Sequence, residues 1–569
     1  MDTVPDSPAC PGKDGWRDSL LFPLMVFTVF GGLTLVPLWG QAGWPLNHEM
    51  LAFAIRTQIY AQHYSFLDFL PVWSSLDNEG FGSPQPLLYH KLFYVVSASL
   101  LGMTGGMKAA LEMAILVFLV VGATGMYRTL RLVGSSREAG LAGGLAIIVA
   151  NYTVTDWLIR GALAELAAAM LVPWSLFYLL LSLREERIHP GLAVNLGLIF
   201  LAHSVICFYL ILLFSVTILV LLASRHVRPS VVSARSILLP AVIFLVLVSP
   251  WLLAMSVFGN DYDMARMLTH SYHPNSQFQP IGRYFWDSLW SFGKKWEGFT
   301  VQLDLPTLAL MVAGLAGLFH HRHAALAASE LRERHLTTIL PVIFVGALAF
   351  LLQLPFSAPF YAHFPGAGFI QFPWRLLCVI TPAIIIIGLY LIEKTFPHRL
   401  SGFILASYLI IMIITCGAFA PIKYQRFPDL NYPPDHIQFS VFGEYIPKEV
   451  SLPPPARENI LEGVRTAGCH LNGNRASVEV KQLQFRVECS RPALLALPVF
   501  SSPLHGVVVS SPDGTSTPSA CKSAPGFSGL CGVVVPAGQS RVYVDMPSYS
   551  AAIKWWSRIT TGTTASLFH

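Results

Sequence analysis

The sequence predicts an α-helical polytopic membrane protein of about eleven spans plus one re-entrant or interfacial segment, followed by a C-terminal extracytoplasmic β-sandwich-like domain. Three observations predict it. Of 569 residues, 54% are hydrophobic and 12% charged, about half the roughly 25% charge of a soluble domain. Apolar stretches approaching the roughly 20 residues that cross a bilayer recur through positions 21–420. After Phe419 the composition changes, first to Pro and aromatic residues and then to period-two alternation. This composition excludes a soluble globular enzyme and the fibrous, collagenous and disordered classes. The net charge of +5 comes from 37 Lys+Arg against 32 Asp+Glu, with no basic block that tracks a phosphate backbone. Nucleic acid is therefore not an expected partner.

The apolar stretches lie at 21–39, 109–126, 139–155, 163–183, 191–203, 205–223, 236–255, 306–320, 337–352, 374–392 and 401–420. Residues 1–20 form a polar, Pro-rich tail, and no small-residue cleavage site follows the first stretch, so it reads as a retained helix rather than a signal peptide. Loops rich in Arg and Lys stay cytoplasmic. Five qualify: those holding Arg128, Arg131 and Arg137; Arg184 and Arg187; Arg225, Arg228 and Arg235; Arg322, Arg332 and Arg334; and Lys394 with Arg399. All five share one side only if 88–103 does not span. The amino terminus is then inside, and 40–108, 256–305, 353–373 and 421–569 face outside. Residues 191–223 suit either two short helices meeting at His203 or one tilted helix; two short ones satisfy the charge parity.

Residues 421–460 read as a Pro- and aromatic-rich connector, 461–548 as the β domain, and 549–569 as a polar tail whose Trp555 and Trp556 suit a membrane surface. The stretches beginning at Val478, Leu483 and Ser540 alternate with period two, and Pro-Asp-Gly and Pro-Ala-Gly supply turns. Cys469, Cys489, Cys521 and Cys531 fall in this domain, an even set that suggests two disulfides with three pairings open, and an oxidising compartment such as a periplasm.

The first outside loop concentrates polar groups: Asn47, His48, Glu49, Asp68, Asp77, Glu79, His90 and Lys91. A carboxylate partly withdrawn from water at the membrane edge suits general-base work; Glu49, His48, Asp68 and Asp77 are the candidates. Arg160 with Glu165, and Arg375 beside Trp374, open two spans at the outer boundary, where a guanidinium clamps a phosphate through two hydrogen bonds. His203 lies between two short spans and faces the same region; the bland alternatives are snorkelling arginines and a helix-internal Arg160–Glu165 pair. No phosphate-binding loop, dinucleotide fingerprint, HExxH or CxxC occurs, so no nucleotide cofactor is expected. His320–His323 reads as a solvated basic loop, and Asp261, Asp263, His270 and His273 as a loop long enough to cover a cavity.

Five blocks occur in one order: Asn47-His48-Glu49 with Gly80-Phe-Gly-Ser-Pro84 and Leu88-Tyr89; Arg160-Gly-Ala-Leu-Ala-Glu165; Ala202-His203-Ser204; Gln371-Phe-Pro-Trp-Arg375; and Glu444-Tyr-Ile-Pro447. Over roughly 20–450 this pattern resembles the bacterial polytopic membrane proteins called 6-pyruvoyl-tetrahydropterin synthase-related. That family in turn resembles the GT-C superfamily of integral membrane glycosyltransferases. The resemblance implies a sugar carried on a polyprenyl phosphate, a glycan, lipid or protein acceptor at the outer face of the cytoplasmic membrane, and an acid in the first outside loop that acts as base or helps hold a divalent cation. Asn47, Arg160, Glu165, His203, Trp374 and Arg375 are the candidate binding residues for substrate and lipid phosphate. Where the family carries Asp before the His, this chain has Asn47, so Glu49 or His48 must take the role of base, or the chain is an inactive relative. The alternative is a transporter or assembly subunit for surface polysaccharide or lipid. Acids inside the spans would favour transport, and the apolar runs hold almost none. A receptor whose tail binds glycan is a third class.

Overall fold

In the computed structural model, residues 20–39, 43–49, 52–62, 71–75, 77–258, 261–262, 266, 273–287, 300–320, 329–417, 423–426, 443–473, 482–524 and 526–546 are described. Six helices are long and apolar enough to cross a membrane: Met107–Leu132, Arg137–Arg160, Leu163–Arg184, Ser204–Ala223, Ala234–Ser256 and Pro373–Thr395. Ile339–Leu352 and Pro355–His363 together make a seventh that bends by 84°. Leu21–Thr34, Pro190–Ala202, Leu305–Gly317 and His398–Ile414 coincide with expected spans but are only 10–17 residues long. The chain is a multi-pass membrane protein; among the described residues six or seven helices have full spanning length, where the sequence suggested eleven spans. Leu92–Thr104, inside the segment kept out of the count, is likewise a short apolar helix.

Small residues set the closest packing. A Cβ on Gly122 would meet Met170 at 2.5 Å and one on Gly125 would meet Trp174 at 2.8 Å, so the Met107–Leu132 helix lies directly against the Leu163–Arg184 helix. Close backbone approach of this kind substitutes, inside a membrane, for the hydrophobic drive that water supplies elsewhere. The 191–223 stretch is broken as the charge parity required. His203 is extended, with φ −163° and ψ 99°, between Pro190–Ala202 and Ser204–Ala223. Its N–H donates to Ile199 O at 2.6 Å and its carbonyl accepts from Ile206 N, so the break leaves neither group of this peptide orphaned.

Ten strands are described. β1 (Gly43–Pro45) pairs antiparallel with β2 (Tyr424–Arg426) and ties the first loop to the chain that leaves the last helix. β3 (Cys469–Gly473), β4 (Gln482–Cys489), β5 (Ala493–Phe500), β6 (Gly506–Ser510), β7 (Ser516–Ser519), β8 (Lys522–Ala524), β9 (Phe527–Val535) and β10 (Gly538–Asp545) form two sheets, ordered β3-β4-β10-β6-β7 and β5-β9-β8. The period-two reading holds at β4 and β10: Leu483, Phe485, Val487, Val542 and Val544 turn inward against Leu497, Val499, Val533 and Val535 of the second sheet. The stretch at Val478 lies outside the described residues. The open pairing resolves to Cys469–Cys489 and Cys521–Cys531. Each joins neighbouring strands.

The β sheets are fixed to the loops of the helical body. Phe500 N donates to Phe81 O at 2.9 Å and the two rings stack at 5.2 Å. Trp73 meets His505 edge-on at 4.9 Å. Tyr262 bridges to Pro447, and Lys448 N donates to Asp261 O. Gly82 makes this joint feasible: at φ +84° a Cβ would strike Trp73 Nε1 at 2.3 Å.

Candidate functional site

The Arg137–Arg160 span ends in a wide π turn, Thr155–Arg160, closed by Gly161 at φ +68°. Widened turns of this type recur at functional positions. This one places Asp156 and Arg160 on one side, and Arg160 Nη1 donates to Asp156 Oδ1. The first loop is laid against the same turn: His48 N donates to Ile159 O at 3.1 Å and Glu49 N to Arg160 O at 3.2 Å. Asn47 covers Gly161, where any Cβ would come within 2.7 Å of the Asn47 side chain. The sequence separation of more than a hundred residues is therefore closed by two backbone hydrogen bonds and one side-chain contact.

At the start of the Leu163–Arg184 helix, Glu165 is buried and fully engaged. Its Oε2 accepts from Arg160 Nη2 at 2.7 Å and from Arg375 Nε at 3.0 Å, with His203 Nε2 3.8 Å away. Its Oε1 accepts from the Tyr152 hydroxyl. Two guanidiniums are thus held by one carboxylate. Arg160 lies over the Trp374 ring and Arg375 over the Phe372 ring, each at 4.6 Å. Both oxygens of this buried carboxylate are thus occupied by donors. Its role is to orient the two arginines.

Arg160, Glu165 and Arg375 line a small cleft together with Glu49, Tyr89, Tyr94 and His203. Glu49 is the most accessible acid there, with its side chain 34% exposed. Arg56 holds it: Nη1 donates to Glu49 Oε2 at 3.0 Å and to the Tyr94 hydroxyl at 3.4 Å, while the guanidinium lies 4.5 Å over the Tyr89 ring. His203 stacks on His90 at 4.3 Å, and its buried Nδ1 has no partner among the described residues.

Glu49, Arg160, Glu165, His203 and Arg375 therefore come together, as the sequence proposed, and Trp374 packs beneath Arg160. His48 and Asn47 stand in the adjoining wall; the buried Asn47 amide makes no hydrogen bond among the described residues. Asp77 is elsewhere. Its carboxylate caps the turn that follows it, accepting from Asn78 N at 2.9 Å and the Ser83 hydroxyl at 2.5 Å. Asp68 lies outside the described residues. Four contributors were not singled out from sequence: Asp156, Tyr152, Arg56 and Tyr94. Asp156 was readable, because it precedes Arg160 by one helical turn. It lies one residue past the apolar run 139–155, in the last turn of the Arg137–Arg160 helix.

No protein-family model and no curated protein sequence matches the chain. Several solved structures are similar to it. Arabinofuranosyltransferase AftD from Mycobacteria matches with a TM-score of 0.43 and 16% identity over 71% of this chain and 28% of its own. The Archaeoglobus fulgidus oligosaccharyltransferase tethered with an acceptor peptide matches with a TM-score of 0.45 and 11% identity over 92% of this chain and 77% of its own. Arabinosyltransferase EmbB from Mycobacterium smegmatis matches with a TM-score of 0.36 and 11% identity, over 97% and 65%. Scores and identities this low establish neither a shared fold nor a shared activity.

Proposed function

We propose that the chain is an integral membrane glycosyltransferase of the GT-C type, moving a sugar from a polyprenyl-phosphate donor to a glycan, lipid or protein acceptor at the outer face of the cytoplasmic membrane. The observation that carries this reading is the Glu165 carboxylate holding Arg160 and Arg375 at a cleft that an accessible acid, Glu49, also lines. In this scheme Glu49 takes the proton of the acceptor hydroxyl. The acceptor oxygen bonds to the anomeric carbon as the bond from that carbon to the phosphate oxygen breaks, and the lipid phosphate leaves with its charge against Arg375. His48 stands next to Glu49 as the second candidate base. The amino terminus inside, the eleven-span count and the β domain over residues 461–548 on the outer side belong to the same proposal; the two disulfides support an oxidising side.

The test is mass spectrometry of surface glycans and polyprenyl-phosphate sugars in cells lacking the chain, complemented by wild type or by Glu49→Gln. A glycan missing one sugar, with the matching lipid-linked sugar accumulating and only wild type restoring it, is the expected result. One observation favours a second reading, a transport or assembly subunit: Asp156 is fully buried within a span, where charge usually serves function. An intact glycan structure with reduced total export, rescued equally by both forms, would select that reading.

A further inference from the structure

The metal that the family resemblance allows does not fit the side chains of this cleft. A divalent cation takes anionic oxygens that are free to coordinate. Both Glu165 oxygens are spent on Arg160, Arg375 and Tyr152. Glu49 is paired with Arg56. Asp156 gives one oxygen to Arg160 and is fully buried behind the cleft wall. Asn47, where the family has Asp, carries no charge. Among the described residues no three His, Cys, Asp or Glu side chains converge as a metal set. Three guanidiniums, Arg56, Arg160 and Arg375, are already paired with the three carboxylates, Glu49, Asp156 and Glu165, so the cleft's own acids are engaged before any ion enters.

The same inventory indicates what the cleft can hold. Arg375 commits its Nε edge to Glu165 and its flat face to Phe372. Its terminal nitrogens, Nη1 and Nη2, bond no other described residue, and the side chain is 12% exposed at the cleft wall. A guanidinium anchored at one edge presents the other as a fixed fork for two oxygens of one phosphate.

We propose that the cleft binds a phosphodiester bearing a single negative charge, through the terminal nitrogens of Arg375 and without a divalent cation. The proposal rests on the lipid-phosphate reading of the site. A diphosphate would bring further negative charge into a cleft whose other guanidiniums are already paired, and desolvating it there has no matching return.

The experiment uses the purified full-length chain in detergent, with an undecaprenyl-phosphoryl hexose (a phosphodiester, hereafter the monophosphate) and the corresponding undecaprenyl-diphosphoryl hexose (the diphosphate) as probes, each titrated with EDTA and again with Mn²⁺. The expected result is monophosphate binding that differs less than about twofold between the two conditions, and diphosphate binding at least about tenfold weaker, a difference of ~1.4 kcal/mol. Glu49→Gln removes one negative charge from a partly exposed side chain and should narrow that gap. Arg375→Lys keeps the charge but loses the fork, and should weaken the monophosphate by about tenfold. Binding that requires Mn²⁺, or a diphosphate that binds as tightly as the monophosphate, overturns the inference while leaving the lipid-phosphate reading in place. If neither lipid binds under any condition, the reading of the cleft falls and the inference with it.

Discussion

Glu165 Oε2 accepts from Arg375 Nε at 3.0 Å across 210 residues of sequence. The same oxygen holds Arg160, so this one carboxylate fixes neighbouring ends of three apolar helices relative to one another. Neutralising it takes the acceptor from Arg375 Nε and leaves Arg160 with Asp156 alone, and breaking a buried pair in this way costs about 3–5 kcal/mol. Glu165→Gln should therefore lower stability in detergent by that order, measured by thermal or denaturant melting of the purified chain. Tyr152→Phe removes only the hydroxyl that donates to Oε1 and should cost about 1.5–3 kcal/mol. A Glu165→Gln variant that melts like wild type would remove the carboxylate from this central role.

Glu49 makes the complementary prediction. Its carboxylate is the accessible acid of the cleft, and an amide of nearly the same volume keeps the packing while abolishing basicity. Glu49→Gln should reduce sugar transfer by about a hundredfold to ten-thousandfold, leave monophosphate binding close to wild type, and lower melting less than Glu165→Gln does, because the partner that Arg56 loses is partly exposed. Full activity would move the search for a base to His48 and to Asp68.

How much of this was visible in the sequence follows from the type of signal each residue gives. The membrane body, the break at His203 and the strands beginning at Leu483 and Ser540 follow from hydropathy, charge parity and period-two alternation, which are local properties. The pair Arg160–Glu165 was legible for the same reason, since five residues separate its members. Arg56 was not, because its partners Glu49, Tyr89 and Tyr94 are assembled by the fold and nothing in the local pattern of the Ala52–Gln62 helix distinguishes it. Asp77 misled in the opposite direction: an acid in a polar loop looks available, while in the structure the turn it caps consumes both of its oxygens. The apolar stretch at 21–39 outruns its α-helix, which stops at Thr34, because hydropathy does not mark where a helix ends.

Gly161 and Asn47 should behave as a coupled pair. Gly161→Ala forces a left-handed residue to carry a Cβ, which costs about 1–2 kcal/mol, and drives that atom into Asn47 at 2.7 Å. Asn47→Ala removes an amide that has no hydrogen-bond partner among the described residues, so its own effect on melting should be within about 1 kcal/mol. The double variant keeps the backbone cost and loses the collision. Its destabilisation should be smaller than the sum of the singles by about 0.5–3 kcal/mol. Strict additivity would mean that the two residues do not press on each other.

The joint between the first loop and the β domain should respond to acid through His505. This imidazole is buried against the edge of the Trp73 ring, and its Nε2 has no partner among the described residues. Burial holds it neutral, pushing it down to about 3, whereas in the unfolded chain a histidine takes up its proton near pH 6.5. Between those two values the unfolded state binds more protons than the folded one. The stabilisation is therefore intact above about pH 6.5 and is lost progressively as pH falls toward 3, at no more than about 1.4 kcal/mol per pH unit. Carboxylates elsewhere contribute acid sensitivity of their own, so the informative quantity is a difference between two proteins. Melting temperatures of wild type and His505→Gln, measured from pH 8 to 4, should run parallel above about pH 6.5 and converge below it, because glutamine has no proton to gain. Curves that stay parallel across the whole range would show that the imidazole protonates in place without loosening the joint.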